Sequence, residues 1–200
     1  MTQMRKLPLR NVLLGAMLIT TITGCVSFGA KAPPTMLVLT AVTGVAKDSV
    51  KTGAASDALV VLAPEVPRKI DTNRVPVQID DSSIAYLKDA VWADKPARLM
   101  QLLLMETIAA KNGRLVLNEV DAGGKAQQFL SGSLLEFGID ATAMEAVVVY
   151  DAVKLAKGQV VEKRRFEARR AVTKVESAFA GAALNVAAND VAGQIATWVG

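Results

Sequence analysis

The sequence predicts an α/β fold: a mixed, largely antiparallel sheet covered by two main helices, in a single compact domain after a cleaved signal peptide. Three observations lead there. A basic start and a short apolar run end at a lone cysteine. Three long alternating segments follow one another between residues 127 and 172. Stretches of helical apolar spacing lie before and after them.

Arg5, Lys6 and Arg10 form the basic start, and Val12 to Ile22 form the apolar run. Its eleven residues are too few for a membrane-spanning helix, which needs ~20. Ile22-Thr23-Gly24-Cys25 resembles a bacterial lipobox, a signal in which the Cys sulfur is lipidated and cleavage leaves that Cys first in the mature chain. An ordinary signal peptide containing a Cys, or a buried helix, are the other readings. The only Cys stands at the one position the motif requires, which favours lipidation at Cys25. Residues 1–24 are then signal peptide, 25–35 a lipidated N-terminus and tether with Pro33-Pro34, and 36–200 the folded domain. Val26 after the Cys resembles the sorting pattern for the outer membrane, with the inner membrane as the alternative. The expected place is the bacterial cell envelope, lipid-anchored on the periplasmic side.

Charge must be read after that cut. Removing Arg5, Lys6 and Arg10 leaves 20 basic against 19 acidic residues, so the formal +4 of the whole chain is no sign of nucleic-acid binding. The 176 remaining residues suffice for one well-packed domain. There is no His, which excludes Ser-His-Asp and Cys-His enzymes and His-based zinc sites together. No Walker-type loop occurs, and Ser131-Gly132-Ser133 does not form a nucleophile elbow. Asp80-Asp81 lies in a Ser-containing stretch that reads as a solvated turn. No catalytic residue, metal ligand or cofactor is expected.

Met36 to Leu39 reads as a first strand and Ala41 to Asp57 as a loop. Leu59 to Leu62 is unbroken in its apolar character, so it is a strand buried on both faces, ended by Pro64 and Pro67. Val75 to Ile79 and Ile84 to Leu87 are short strands joined by a turn at Asp80 to Ser83. Asp94 is placed as the N-cap of a helix with Pro96 in its first turn and Gly113 beyond its end. That helix is expected to pack through Leu99, Leu102 and Leu103, on a stripe with Glu106 and Ala110. Leu115 to Leu117 reads as a strand on the next layer. Strands then span Gln128–Asp140, Met144–Lys157 and Gln159–Val172, with turns at Asp140–Ala143 and Lys157-Gly158. The middle one is apolar on both faces and therefore central. The last carries Arg164, Arg165, Arg169 and Arg170 among alternating Phe166, Ala168 and Val172. It is either a protected edge or a docking face for an acidic partner or anionic headgroups. Leu184, Ala187, Ala188, Val191, Ile195, Trp198 and Val199 mark a closing helix whose many Ala residues suit close packing on a sheet. Tyr86, Trp92 and Trp198 are read as structural, packing aromatics rather than ligand contacts.

Taken in order, the lipobox, the early strand, Leu59 to Pro67, Ile70-Asp71-Thr72-Asn73-Arg74, Ile84-Ala85-Tyr86-Leu87, Ala90 to Pro96 and the terminal Ile195-Ala196-Thr197-Trp198 resemble the ABC-type transport auxiliary lipoproteins, which include the PqiC-like proteins. The resemblance covers nearly all of the mature chain, residues 36–200. It implies a sheet covered by two helices and a non-enzymatic role beside MCE-type (mammalian-cell-entry-like) lipid transport machinery, with phospholipid or another hydrophobic compound as cargo. The implied partner is a periplasmic MCE-type protein, and the best docking candidates are Arg164, Arg165 and Arg169. A homo-oligomer is among the states left open. A structural or assembly lipoprotein of the outer membrane is the competing reading.

Overall fold

The computed structural model describes residues 35–156 and 161–200. The expected signal peptide, Cys25, the tether before Thr35 and the Lys157-Gly158 turn lie outside the described residues. Element order is β1 (Thr35–Leu37), β2 (Leu59–Val61), β3 (Arg74–Gln78), β4 (Ile84–Trp92), α1 (Pro96–Asn112), β5 (Val116–Leu117), α2 (Glu119–Ala122), β6 (Gln128–Asp140), β7 (Glu145–Ala156), β8 (Glu162–Ala171) and α3 (Ser177–Val199).

All eight strands form one mixed sheet built around β6. One edge of β6 pairs antiparallel with β7 from Gln128↔Ala156 to Asp140↔Glu145, and β7 pairs antiparallel with β8. The other edge of β6 is shared. Its start takes β2 in parallel, Leu59↔Gln128 to Val61↔Leu130, and its end takes β3 in parallel, Val77↔Ile139 and Gln78↔Asp140. The sheet therefore forks, with β5 beyond β2 and β4 then β1 beyond β3. The long antiparallel strands match the expected meander, while β2 is fully buried between parallel neighbours, as its unbroken apolar run requires.

Several local expectations change. β4 continues past Leu87 to Trp92, with Asp89 in the left-handed region at φ 55. The β3–β4 register shifts between Arg74 and Pro76, which places the proline, with no N–H to donate, at an irregularity of the ladder. β5 is not on another layer: it extends the same sheet beside β2. The short α2 was not foreseen, since four residues carry no periodicity; Asn118 caps it by accepting from the Asp121 N–H at 2.8 Å.

α1 begins one residue later than expected. Lys95 is the N-cap, and Asp94 instead accepts from the Lys95 N–H at 2.6 Å. Pro96 and Gly113 hold their expected places, Gly113 in the left-handed conformation at φ 64. The packed stripe is rotated: Leu99, Met100, Leu103, Leu104 and Ile108 are buried, whereas Leu102 is 44% exposed. The run Leu99 to Leu104 offers two apolar stripes, and contact with both α3 and the sheet selects the one that serves both. Gln101 is buried with them, and its amide donates to the Val61 carbonyl at 2.8 Å.

α1 and α3 lie on one face of the sheet over the main core, where Trp92, Phe137, Leu134, Tyr150 and Leu184 are fully buried. α3 buries Ala180, Leu184, Ala187, Ala188, Val191, Ala192, Ile195, Ala196 and Val199, as its spacing predicts. A smaller cluster of Val60, Ala122 and Ala126, with Leu62, Leu117 and Phe129, forms under α2. Val60 alternates with Leu59 and Val61 of the main core, so α2 covers the opposite face.

Candidate functional site

β8 is the outer strand of the meander, and its alternation sorts its charges. Phe166 and Ala168 point into the main core, so Glu162, Arg164 and Arg170 share the helix side, while Lys163, Arg165, Glu167 and Arg169 stand on the open face. Cross-strand pairs place Lys163, Arg165, Glu167 and Arg169 opposite Val153, Asp151, Val149 and Val147 of β7.

On the open face these side chains are held by one another. Arg165 grips Asp151 with two bonds, Nε to Oδ1 at 2.6 Å and a terminal nitrogen to Oδ2 at 2.9 Å. Lys163 adds a contact to the same carboxylate at 3.1 Å. Arg169 donates to Glu167 at 2.6 Å and to Glu145 at 3.3 Å. Beneath them Val147 and Val149 are only 8% exposed, and among the described residues no helix lies on this side of β7, where the stems of long charged side chains can shield apolar surface. Arg170 turns the other way, pairing with Asp190 of α3 and donating to the Arg169 carbonyl. Among the described residues Arg164 has no ion pair; its guanidinium lies 5.1 Å from the Phe166 ring centre.

Of the three predicted docking arginines, Arg165 and Arg169 are thus fixed in ion pairs on the open face and Arg164 stands apart on the other side of the strand. Trp198 of α3 lies on that helix side too: it is half-buried, 5.6 Å from Phe166, with the Lys154 ammonium 5.1 Å from its ring centre. Tyr86 lies elsewhere, on β4, stacked under Arg74 at 4.2 Å and bonded to the Lys69 carbonyl. Trp92 is sealed in the core against Phe137.

A shallow cleft of about 520 Å³, of mixed polar and apolar lining, continues the open face past the end of β8, with Lys69, Gln78, Glu136, Ile139, Val147 and Arg169 in its wall. Lys69 and Glu136 form an ion pair at 2.6 Å in its wall. Its lining comes from β3, β6, β7, β8 and a loop, so no local motif announces it. The Asp80 turn at its rim has the expected character: the Ser82 N–H and hydroxyl donate to its carboxylate and hold its pKa below the ordinary value. Among the described residues no group of three or more His, Cys, Asp or Glu could hold a metal ion.

Asp151 carries a pH signature. The Arg165 hydrogen bonds, and after burial's opposing effect those of Lys163, lower its pKa from 3.8 to about 2. A carboxylate whose folded pKa is depressed contributes stability above its unfolded pKa and loses it as pH falls through the folded one. The acid limb of unfolding should therefore include a component between about pH 3.8 and pH 2. Asp151→Asn should remove that component, which melting curves at stepped pH would show.

A family model described as ABC-type transport auxiliary lipoprotein component matches residues 39–196. The chain belongs to this family. The auxiliary lipoprotein fold is also seen in a crystal structure of a Xanthomonas campestris protein of the DUF330 family, at TM-score 0.69 and 19% identity, covering 82% of this chain and 94% of that one. A second crystal structure, of an uncharacterized protein, aligns at TM-score 0.64 and 17% identity over 72% of this chain and 93% of that one. At these identities the likeness shows the auxiliary lipoprotein fold alone. No curated protein matches the chain in sequence. Among the described residues no helix is long and apolar enough to cross a membrane.

Proposed function

We propose that this chain is a lipid-anchored periplasmic accessory of an ABC-type lipid transport system, held by Cys25 at the outer membrane and acting by protein docking rather than catalysis. Its partner is the MCE-type periplasmic protein of that system, and the cargo is phospholipid or another hydrophobic compound. Membership of an auxiliary lipoprotein family supports the transport role. The observation that carries docking is the outer strand β8, whose open face presents arginines and carboxylates locked in position by mutual pairing. Side chains fixed before contact lose little freedom on binding, and alternating charge sets register and speeds encounter more than it adds affinity.

Capture of the MCE-type protein encoded beside this chain by the mature lipoprotein tests the proposal. Arg165→Glu and Arg169→Glu change the open face and should weaken capture, more at low salt than at high salt. Arg165→Glu also sets a second carboxylate against Asp151, so folding must be checked beside binding. Arg164→Glu, on the helix side of the strand, should weaken capture only if the contact wraps around the β8 edge. Unchanged capture by all three would make β8 merely a protected edge. Absence of any capture would favour the assembly-lipoprotein reading.

The anchor is tested apart from the partner. Cys25→Ala should abolish incorporation of a clickable fatty acid and leave unprocessed precursor, whereas equal labelling of variant and wild type would sink the assignment. Sucrose-gradient fractionation of the lipidated protein separates outer from inner membrane.

A further inference from the structure

The chain just after Thr35 lies along α3 as an extended strap. Leu37 packs against Gly181, Thr40 donates its N–H to Asn185 Oδ1 at 2.8 Å, and Val42 donates to Asn189 Oδ1 at 2.8 Å. Asn189 returns a bond to the Thr40 carbonyl at 2.9 Å. This register turns Leu37, Leu39 and Ala41 inward onto the core. It leaves Met36, Val38 and Val42 facing solvent. Beside the strap, the first turns of α3 expose Ala178, Phe179, Ala182 and Val186 on one stripe. Met36, Val38, Val42, Phe179 and Val186 are each at least 43% exposed. No charged residue occurs in α3 before Asp190, which is tied to Arg170. Other exposed apolar residues, such as Leu102 on α1 and Val120 on α2, are scattered singly and need no partner. This grouping is different, and grouped exposed apolar surface marks an interaction site.

We propose that this strap-and-helix patch is a bilayer-contact surface, seating the domain on the lipid headgroup and acyl boundary of the membrane that holds its anchor. The occupant follows from where the chain leads. Thr35 starts the strand that enters the patch, and Cys25 is ten residues upstream, a reach of at most ~35 Å even when fully extended. The membrane is thus always within reach of this part of the domain. An apolar face whose helix carries no acid before Asp190, with its N-cap Glu176 paired to Lys174 at 4.0 Å, adds contact area that lipid chains alone do not provide. The inference rests on lipidation at Cys25.

The test uses the full lipidated protein in phosphatidylethanolamine–phosphatidylglycerol vesicles. Val186→Cys supplies a label site on the patch and Val120→Cys a control on α2, across the sheet, with Cys25 itself consumed by lipid. Nitroxide-bearing lipids should quench the Val186 label severalfold more than the Val120 label, and Phe179→Glu should reduce that difference while flotation with vesicles persists. Flotation with equal quenching at both sites would overturn the bilayer contact and leave the anchor standing. Failure to float would overturn both. Concentration-dependent cross-linking between Val186→Cys copies, without lipid quenching, would assign the patch to a second copy of the chain and overturn the proposal.

Discussion

Replacing Trp92 by Ala should lower stability by about 3–5 kcal/mol, the usual cost of deleting a large aromatic side chain from a sealed core. Trp92 closes β4, is fully buried, and stacks on Phe137 with ring centres 4.9 Å apart. Its backbone is fixed on both sides: its N–H donates to the Asn73 carbonyl at 2.6 Å, and it stands opposite Leu37 of β1. Surroundings held this firmly cannot collapse into the vacated space. In a domain of this size such a loss is roughly 6–20 °C in melting temperature. Trp92→Phe should cost much less, because it keeps a ring against Phe137 and removes an indole N–H that has no hydrogen-bond partner among the described residues. Urea or thermal unfolding followed by circular dichroism measures both. A midpoint unchanged by Trp92→Ala would show that the ring contributes nothing to the core.

Gly132→Ala should be the next most damaging single change, at about 1–3 kcal/mol from overpacking, with Val costing more. Gly132 of β6 faces Ala152 of β7. A methyl group there would overlap the Asp151 carbonyl oxygen and come within 2.6 Å of the Tyr150 ring. A side chain can rotate away, but a carbonyl inside a ladder cannot retreat without pulling the two strands apart. The double variant Gly132→Ala with Tyr150→Ala discriminates the two obstacles. The ring is gone in that background and the carbonyl remains, so most of the penalty for Gly132→Ala should persist. Disappearance of the penalty would place the whole clash on Tyr150.

The meander and the closing helix were legible because their patterns are long. Thirteen residues of β6 and 23 of α3 give periodicity enough turns to be unambiguous. Leu59 to Val61 was legible as a buried strand for the opposite reason, having no polar face at all. Its partners were not, because alternation within a strand says nothing about a parallel neighbour that begins at Gln128. The stripe of α1 failed where apolar residues ran continuously, so only tertiary contact decided that Leu102 would face water. The charged face shows how narrow the margin can be. A two-residue turn at Lys157-Gly158 pairs 156 with 159 and so sets Asp151 opposite Arg164. The observed register is one residue longer and sets it opposite Arg165. A single-residue slip exchanges the two faces of a strand, so the ion pairing of Arg165 required the register as well as the residues.

The fork at β6 and the strap on α3 together define how a mechanical load travels through this molecule. A pull on the chain upstream of Thr35 enters at β1, which hands it to β4 through three residue pairs, and passes on to Thr40 and Val42, which hand it to Asn185 and Asn189 of α3. β8 lies at the far side of the sheet, beyond β3, β6 and β7. Through the sheet such a load must cross every strand in turn, but α3 also holds Arg170 of β8 through Asp190, so one helix joins the strap to the ion-paired strand by a shorter route.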